Sequence, residues 1–290
     1  MLLASALVSG IGLGAMYGLI ALGFHVTYTV SRTVNFAQGS TVMLGAVLGY
    51  TFMVTLGWPV WLAVLAALGG CAILGLVVER VLVRPFADRG SDSWLIATVA
   101  GGILLDYVVL FTFGNEPRSL PSPLVSDPVQ IFGAGVYPLQ LIIPVVGIAI
   151  AVALQLVLRR TSLGKVLLAV VQNRDSAQLM GINARTVIAI SFAIAAVLAG
   201  IAGLLIAPLF SVHSDMGVLF GLKAFAVAIL GGITSAPGVV IAGLLYGVIE
   251  ALVTAYLGST YTHIVVFSVI ILALALMPNG LLGQAAVNKV

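Results

Sequence analysis

Leu230-Gly-Gly-Ile-Thr-Ser-Ala-Pro-Gly238 breaks an apolar region of the chain with three glycines and a proline. An apolar stretch at about 221–233 precedes it, too short to cross a bilayer, and a full-length apolar run at 238–257 follows. Irregular backbone at membrane depth has no water to pair with, so it is tolerated only where protein buries it or a wet cavity lines it. The pattern predicts a re-entrant half-helix that turns at the glycines. A comparable break, Ser31-Arg-Thr-Val-Asn-Phe-Ala-Gln-Gly39, lies in the first half and also leads into a helix start rich in small residues. Corresponding interruptions in two halves of a membrane protein point to a solute path. Asn35, Gln38, Gly39, Gly232 and Gly238 are the candidates these breaks supply.

The rest of the chain fits the same solvent. It has 290 residues, 61% hydrophobic and 7% charged, with a mean hydropathy of +1.23, whereas roughly a quarter of the residues of a soluble domain are charged. A span takes about 20 apolar residues. Runs of that size lie near 8–30, 37–56, 59–79, 93–113, 138–158, 187–209, 238–257 and 263–282. They are apolar on every face, which excludes an outer-membrane barrel with its alternating strands. The expectation is an all-α polytopic membrane protein, one transmembrane domain over residues 1–290, with about eight transmembrane helices plus the half-helix. Met1 to Val30 lacks Lys and Arg and is too long an apolar run for a signal peptide, so it reads as a retained span.

Ten of the twelve basic residues fall in four places: Arg32; Arg80, Arg84 and Arg89; Arg159, Arg160, Lys165, Arg174 and Arg185; and Lys289. The positive-inside rule makes those places cytoplasmic, with the N-terminus outside and the C-terminus inside. The loop at 114–137, with Glu116, Arg118 and Asp127, and the loop at 210–222, with His213 and Asp215, fall outside. A net charge of +3 gives no continuous basic surface for nucleic acid.

Chemistry-bearing motifs are missing from the sequence. Gly164-Lys165 is followed by Val166 and is no phosphate loop, so intrinsic ATP hydrolysis is not expected. His25, His213 and His263 fall in separate segments, which gives a metal site no support. Cys71 is alone and reads as a core filler. Gly10, Gly14 and Gly18, Gly45 and Gly49, and Gly243 and Gly247 recur at four-residue spacing and predict close helix approach, within the subunit or at a subunit interface. Asp106 and Glu250 sit inside spans, where a charge must face protein or water. Each is either a path residue or a carboxyl group hydrogen-bonded to a neighbouring helix, and Glu250 joins the path candidates.

The cytoplasmic connection at about 159–186 reads as two short helices. Val166, Leu167, Val170 and Val171 recur at helical spacing; Asp175 stands three before Gln178 as in a capping box, and Gly181 supplies a stop. A helix so short needs a docking surface, either on its own membrane domain or in a groove of a partner ATPase.

In order, Gly18-Leu-Ile-Ala-Leu-Gly23, Val34-Asn-Phe-Ala-Gln-Gly39, Val78-Glu-Arg-Val-Leu-Val-Arg-Pro85, Leu179-Met-Gly-Ile-Asn183, Gly221-Leu-Lys-Ala-Phe225, Ala228 to Gly238 and Met277-Pro-Asn-Gly-Leu-Leu-Gly283 make a sequence that resembles the permease subunits of branched-chain amino acid ABC importers. The resemblance covers nearly the whole chain. It implies a multi-pass subunit of the bacterial inner membrane that pairs with a related permease or a second copy of itself. Two cytoplasmic ATPases, which use ATP and Mg, would drive it, an external binding protein would deliver substrate, and the chain itself would bind no cofactor. Arg174, Asp175, Leu179 and Gly181 are then the candidates for ATPase coupling. Gln38, Asp106 and His25 depart from the residues more usual in the family, and related permeases also handle urea, short amides and other amino acids. An ion-coupled secondary carrier working through Asp106 or Glu250, and a passive channel for a small neutral solute, are the rival readings.

Overall fold

The computed structural model describes residues 2–131, 134–277 and 279–283. Twelve α-helices carry the described residues: α1 Leu2–Ser31, α2 Gln38–Tyr50, α3 Val60–Val77, α4 Arg84–Ala87, α5 Trp94–Phe113, α6 Pro138–Arg160, α7 Ser162–Gln172, α8 Arg174–Leu179, α9 Ala184–Ile206, α10 Met216–Gly231, α11 Ala236–Leu257 and α12 Ser259–Leu276. Strands β1 Val129–Ile131 and β2 Ala134–Val136 form a small antiparallel pair. Seven helical stretches are long and apolar enough to cross a membrane. The expected span at 37–56 is α2 prolonged by a π-helical turn, Thr51–Thr55. The expected half-helix at 221–233 is α10, an apolar helix of 16 residues that begins earlier than expected, at Met216. Lys289 and the C-terminus lie outside the described residues, as does Pro278 within the 277–283 motif.

The chain divides into two compact units. The first comprises Met1–His25, Ser122–Ala151 and Lys223–Val290. Its core is the packing of α1 on α11, with Tyr17, Leu19, Ile20, Tyr246 and Val239 buried. Tyr17 and Tyr246 meet edge to face at 5.2 Å between centroids. The second unit comprises Val26–Pro121 and Val152–Leu222, and in it α2 and α3 pack on α9. Ala46, Ala67, Ala195, Ala199 and Phe192 are fully buried there, as is Cys71, with Sγ 4.0 Å from the Thr41 carbonyl. Small residues dominate these interfaces because lipid tails are as apolar as leucine, so cohesion comes from close approach and dispersion. Outward faces stay apolar: Phe111 is 85% exposed and Ile271 69%, as a bilayer-embedded surface requires.

One boundary differs from expectation. The third span was read to end near 79, where charges begin, but the helix runs on through a π-helical turn, Val78–Val83, to Ala87. Glu79 is buried, and Arg84 closes on it with two parallel hydrogen bonds, Nε to Oε1 at 3.0 Å and a terminal guanidinium nitrogen to Oε2 at 2.7 Å. The pair cancels its own charge, so the helix continues with the carboxylate folded against protein. Removing one partner strands the other. Arg84→Met should cost about 2 kcal/mol of stability, less than a fully buried pair because Arg84 is partly exposed, and Glu79→Met/Arg84→Met should recover most of it. Heat-induced loss of the monodisperse chromatographic peak in detergent measures both.

Candidate functional site

In the second unit the break at 31–39 is a compact, internally bonded turn. Ser31 Oγ donates to the Thr27 carbonyl at 2.7 Å and accepts from the Thr33 amide at 3.2 Å. Arg32 adopts φ +59, the left-handed region. Asn35 is buried, and its Oδ1 accepts from the Ala37 amide at 3.1 Å, an Asx turn that launches α2. Gln38, fully buried, donates Nε2 to the Ala195 carbonyl of α9 at 2.9 Å; its Oε1 has no partner among the described residues. Gly39 lies against Gly217 and Gly221 of α10, 3.1 Å from an added Cβ to Gly221 Cα. On α5, Asp106 stands beside the Ser40 hydroxyl with Oδ1 buried and unpartnered among the described residues.

In the first unit the second break is satisfied by distant backbone. Gly232 takes φ +84, so α10 ends in a turn only glycine adopts freely. The Leu281 amide donates to the Leu230 carbonyl at 2.7 Å, and Leu282 to Gly231 at 3.3 Å. The motifs at 228–238 and 277–283 therefore fold as one piece. Gly238 is packed against Gly231 and the Leu282 side chain, and Ser235 caps α11 through Gly238. His25 Nδ1 lies 2.8 Å from the Ile233 carbonyl; a carbonyl only accepts, so Nδ1 carries the hydrogen. His25 thus ties α1 to the break.

Glu250 is not an isolated carboxylate. Lys223 Nζ donates to Glu250 Oε1 at 2.5 Å and to the Tyr17 hydroxyl at 3.3 Å, and both charged residues are only 7% exposed. The sequence reading missed Lys223. The signal was available: a cation inside an apolar stretch needs a counter-ion, and Asp106 and Glu250 were the only carboxylates placed within spans.

The candidate path residues therefore form two groups. Asn35, Gln38 and Gly39 belong to the second unit; Gly232, Gly238 and Glu250 belong to the first.

The loop at 159–186 lies in the second unit and consists of the two expected helices, α7 and α8. Each helix start is capped by a side-chain oxygen: Thr161 accepts from Gly164, Asn173 from Ser176, and Asn183, at the start of α9, from Thr186. The cap of α8 is Asn173, not Asp175. Asn173 is extended at φ −156, ends α7 and starts α8 at once, and leaves Asp175 in the first turn, where its charge favours the helix dipole. Gly181, at φ +84, is the stop the sequence placed there. Leu167, Val170, Ala177, Ala184 and Val187 form a buried cluster that docks the loop on α9. The outer tip stays bare, with Leu179 90% exposed and Met180 84%. Asp88, just beyond α4, pairs with Arg174 at 3.6 Å and Arg185 at 3.1 Å.

Many apolar spans, two breaks between apolar helices and a capped loop with an apolar tip fit a multi-pass membrane transport component. A family profile described as the permease component of the branched-chain amino acid transport system matches residues 6–274. The chain belongs to that family. It is 35% identical to the high-affinity branched-chain amino acid transport system permease protein LivH of Salmonella typhimurium, covering 97% of this chain and 96% of the relative. Its identity to the permease protein BraD of Pseudomonas aeruginosa, named for the same type of system, is 33% over 98% and 97%. A more distant likeness, 28% over 90% and 81%, is to the ribose import permease protein RbsC of Escherichia coli.

Proposed function

We propose that this chain is the membrane-spanning permease subunit of an ATP-driven importer that carries branched-chain amino acids across the bacterial inner membrane. The observation that carries the reading is likeness to LivH and BraD over 97–98% of the chain. The loop at 159–186 supplies the ATPase contact: its inner face is used up in docking on α9, so Leu179 and Met180 are left for a partner's groove. Two ATPase subunits bind ATP and Mg, a related permease or second copy completes the membrane part, and an external protein delivers the amino acid. ATP binding closes the ATPases, which move the loop, and the helices around the breaks at 31–39 and 231–238 open the path to one side at a time. Asn35, Gln38, Gly39, Gly232, Gly238 and Glu250 are assigned to that path or its hinges; Arg174, Asp175, Leu179 and Gly181 are assigned to coupling.

Reconstitution with the ATPases, the second permease and the binding protein tests this directly. Uptake of radiolabelled leucine should require both ATP and the binding protein. Uptake by this chain alone, driven by a pH gradient or by no energy source, would replace the reading with a carrier or a channel. Binding-protein-stimulated ATP hydrolysis with urea, a short amide or ribose, and none with leucine, would change the substrate and keep the mechanism.

The N-terminus is assigned to the outside, the loop at 159–186 to the cytoplasm and the C-terminus to the cytoplasm. Opposite ends require an odd number of crossings, which eight spans and a re-entrant α10 do not supply, so α10 and the turn after it are assigned a full crossing in place of the expected return. On a Cys71→Ala background, a membrane-impermeant maleimide should label Ser126→Cys in intact cells and Ser176→Cys only after permeabilisation. The reverse pattern would invert the orientation.

A further inference from the structure

The cluster around Glu250 has unused hydrogen-bonding capacity of a particular kind. Lys223 commits two of its three ammonium protons, to Glu250 and Tyr17. Glu250 Oε2 and the Tyr246 hydroxyl are buried without a partner among the described residues. Tyr246 is one helical turn before Glu250 on α11, so the two groups share a face. What remains is one cationic donor, one anionic acceptor and one hydroxyl, all in the first unit and all held by residues at most 7% exposed.

We propose that Lys223, Glu250 and Tyr246 form a recognition site for a zwitterion, the paired ammonium and carboxylate of a free amino acid. This rests on the permease reading above and assigns its substrate class to specific atoms. The ligand's ammonium, a donor only, takes Glu250 Oε2 and the Tyr246 oxygen; its carboxylate, an acceptor only, takes the remaining Lys223 proton. Charge balance selects the class. The protein pair is neutral, so a zwitterion leaves the low-dielectric site neutral, whereas a ligand of net charge leaves an uncompensated charge there. An uncharged solute such as a sugar or urea brings no charges to meet the free Lys223 proton and Glu250 Oε2. A buried ion pair is by itself a poor stabiliser compared with apolar side chains of similar volume, so folding alone gives little reason to place one here.

The test is leucine transported per ATP hydrolysed in the reconstituted complex. Lys223→Met/Glu250→Met removes both charges together, which a structural pair tolerates. The proposal expects binding-protein-stimulated ATP hydrolysis to survive and leucine uptake to fall about tenfold or more, because the ligand's charges then lose their partners. Tyr246→Phe removes a hydroxyl that bonds to nothing described, so the fold does not depend on it; the proposal expects a fall in leucine per ATP of about three- to tenfold. Uptake at the wild-type ratio in either variant would overturn the site, leaving the pair as a structural contact or a holder of water. If the double variant fails to assemble, Tyr246→Phe alone decides. A wild-type complex that takes up no leucine would overturn the permease reading and this site together, which separates that failure from the failure of the site alone.

Discussion

Gly14→Ala is expected to cost the protein about 3 kcal/mol or more, seen as a fall of about 5 °C or more in the temperature at which the detergent-solubilised chain loses its monodisperse peak. The cause is backbone against backbone. A Cβ at Gly14 would sit 2.6 Å from the Gly243 carbonyl oxygen and 2.7 Å from Leu244 Cα. Neither atom can turn aside as a flexible side chain does, so the two helices must separate along the seam. Loss spreads from there, since Tyr17 on α1 and Tyr246 on α11 meet through the same approach. Gly247→Ala, whose added carbon meets Gly14 and Gly10 backbone, should be at least as severe. Gly69→Ala is the control: nothing lies within 4 Å of its added Cβ, and alanine favours the helix. If Gly14→Ala matched Gly69→Ala, the seam would be looser than the geometry states. The second unit has a parallel seam, where a Cβ at Gly45 would meet Gly200 Cα and its carbonyl oxygen at 2.6 Å.

Local composition carried most of the fold and long-range pairing carried most of what was missed. The fourth span was read at 93–113 and is Trp94–Phe113, because an unbroken apolar run between polar loops leaves little choice. The glycine grooves were read from spacing alone, and Gly10 and Gly14 do pack against α11. The third span runs past the charge at Glu79, which by composition alone marks an exit from the membrane. Glu79 and Arg84 are five residues apart and neutralise each other within one continuous helix, which composition does not reveal. The capping error has a different origin. Asp175 and Gln178 fit the box pattern, but Asn173 offers a shorter route to the Ser176 amide once α7 has ended. Gly232 and Gly238, the path candidates of the second break, touch the backbone of 279–283 and of Gly231; the first of these is a contact between segments about 50 residues apart that no local pattern records. Lys223 and Glu250, separated by 27 residues, fall in the same class, although the need for a counter-ion could have joined them.

Leu179→Asp is the second change with a large expected effect, and it separates coupling from folding. Leu179 ends α8 with 90% of its surface exposed, so the substitution breaks no internal contact of consequence and the stability change should stay within about 0.5 kcal/mol. In the importer reading the same side chain enters a groove on the ATPase, and an apolar anchor replaced by a charge typically costs about 2 kcal/mol or more at an interface. ATP-driven leucine uptake should therefore fall about tenfold or more while the chain expresses and assembles in the membrane at wild-type levels. Gly181→Val approaches the tip by another route. At φ +84 a β-branched residue is strained by about 1–2 kcal/mol, and relief of that strain swings Leu179 and Met180 away from their aim while Ala177 stays anchored in the buried cluster. Its uptake should fall with preserved basal ATP hydrolysis, the signature of an uncoupled transporter. Leu124→Asp, an exposed apolar position in the loop assigned to the outside, is the matched control and should leave uptake unchanged. Normal uptake in both Leu179→Asp and Gly181→Val would remove the tip from the drive mechanism and return the loop to the simpler role of covering the end of α9.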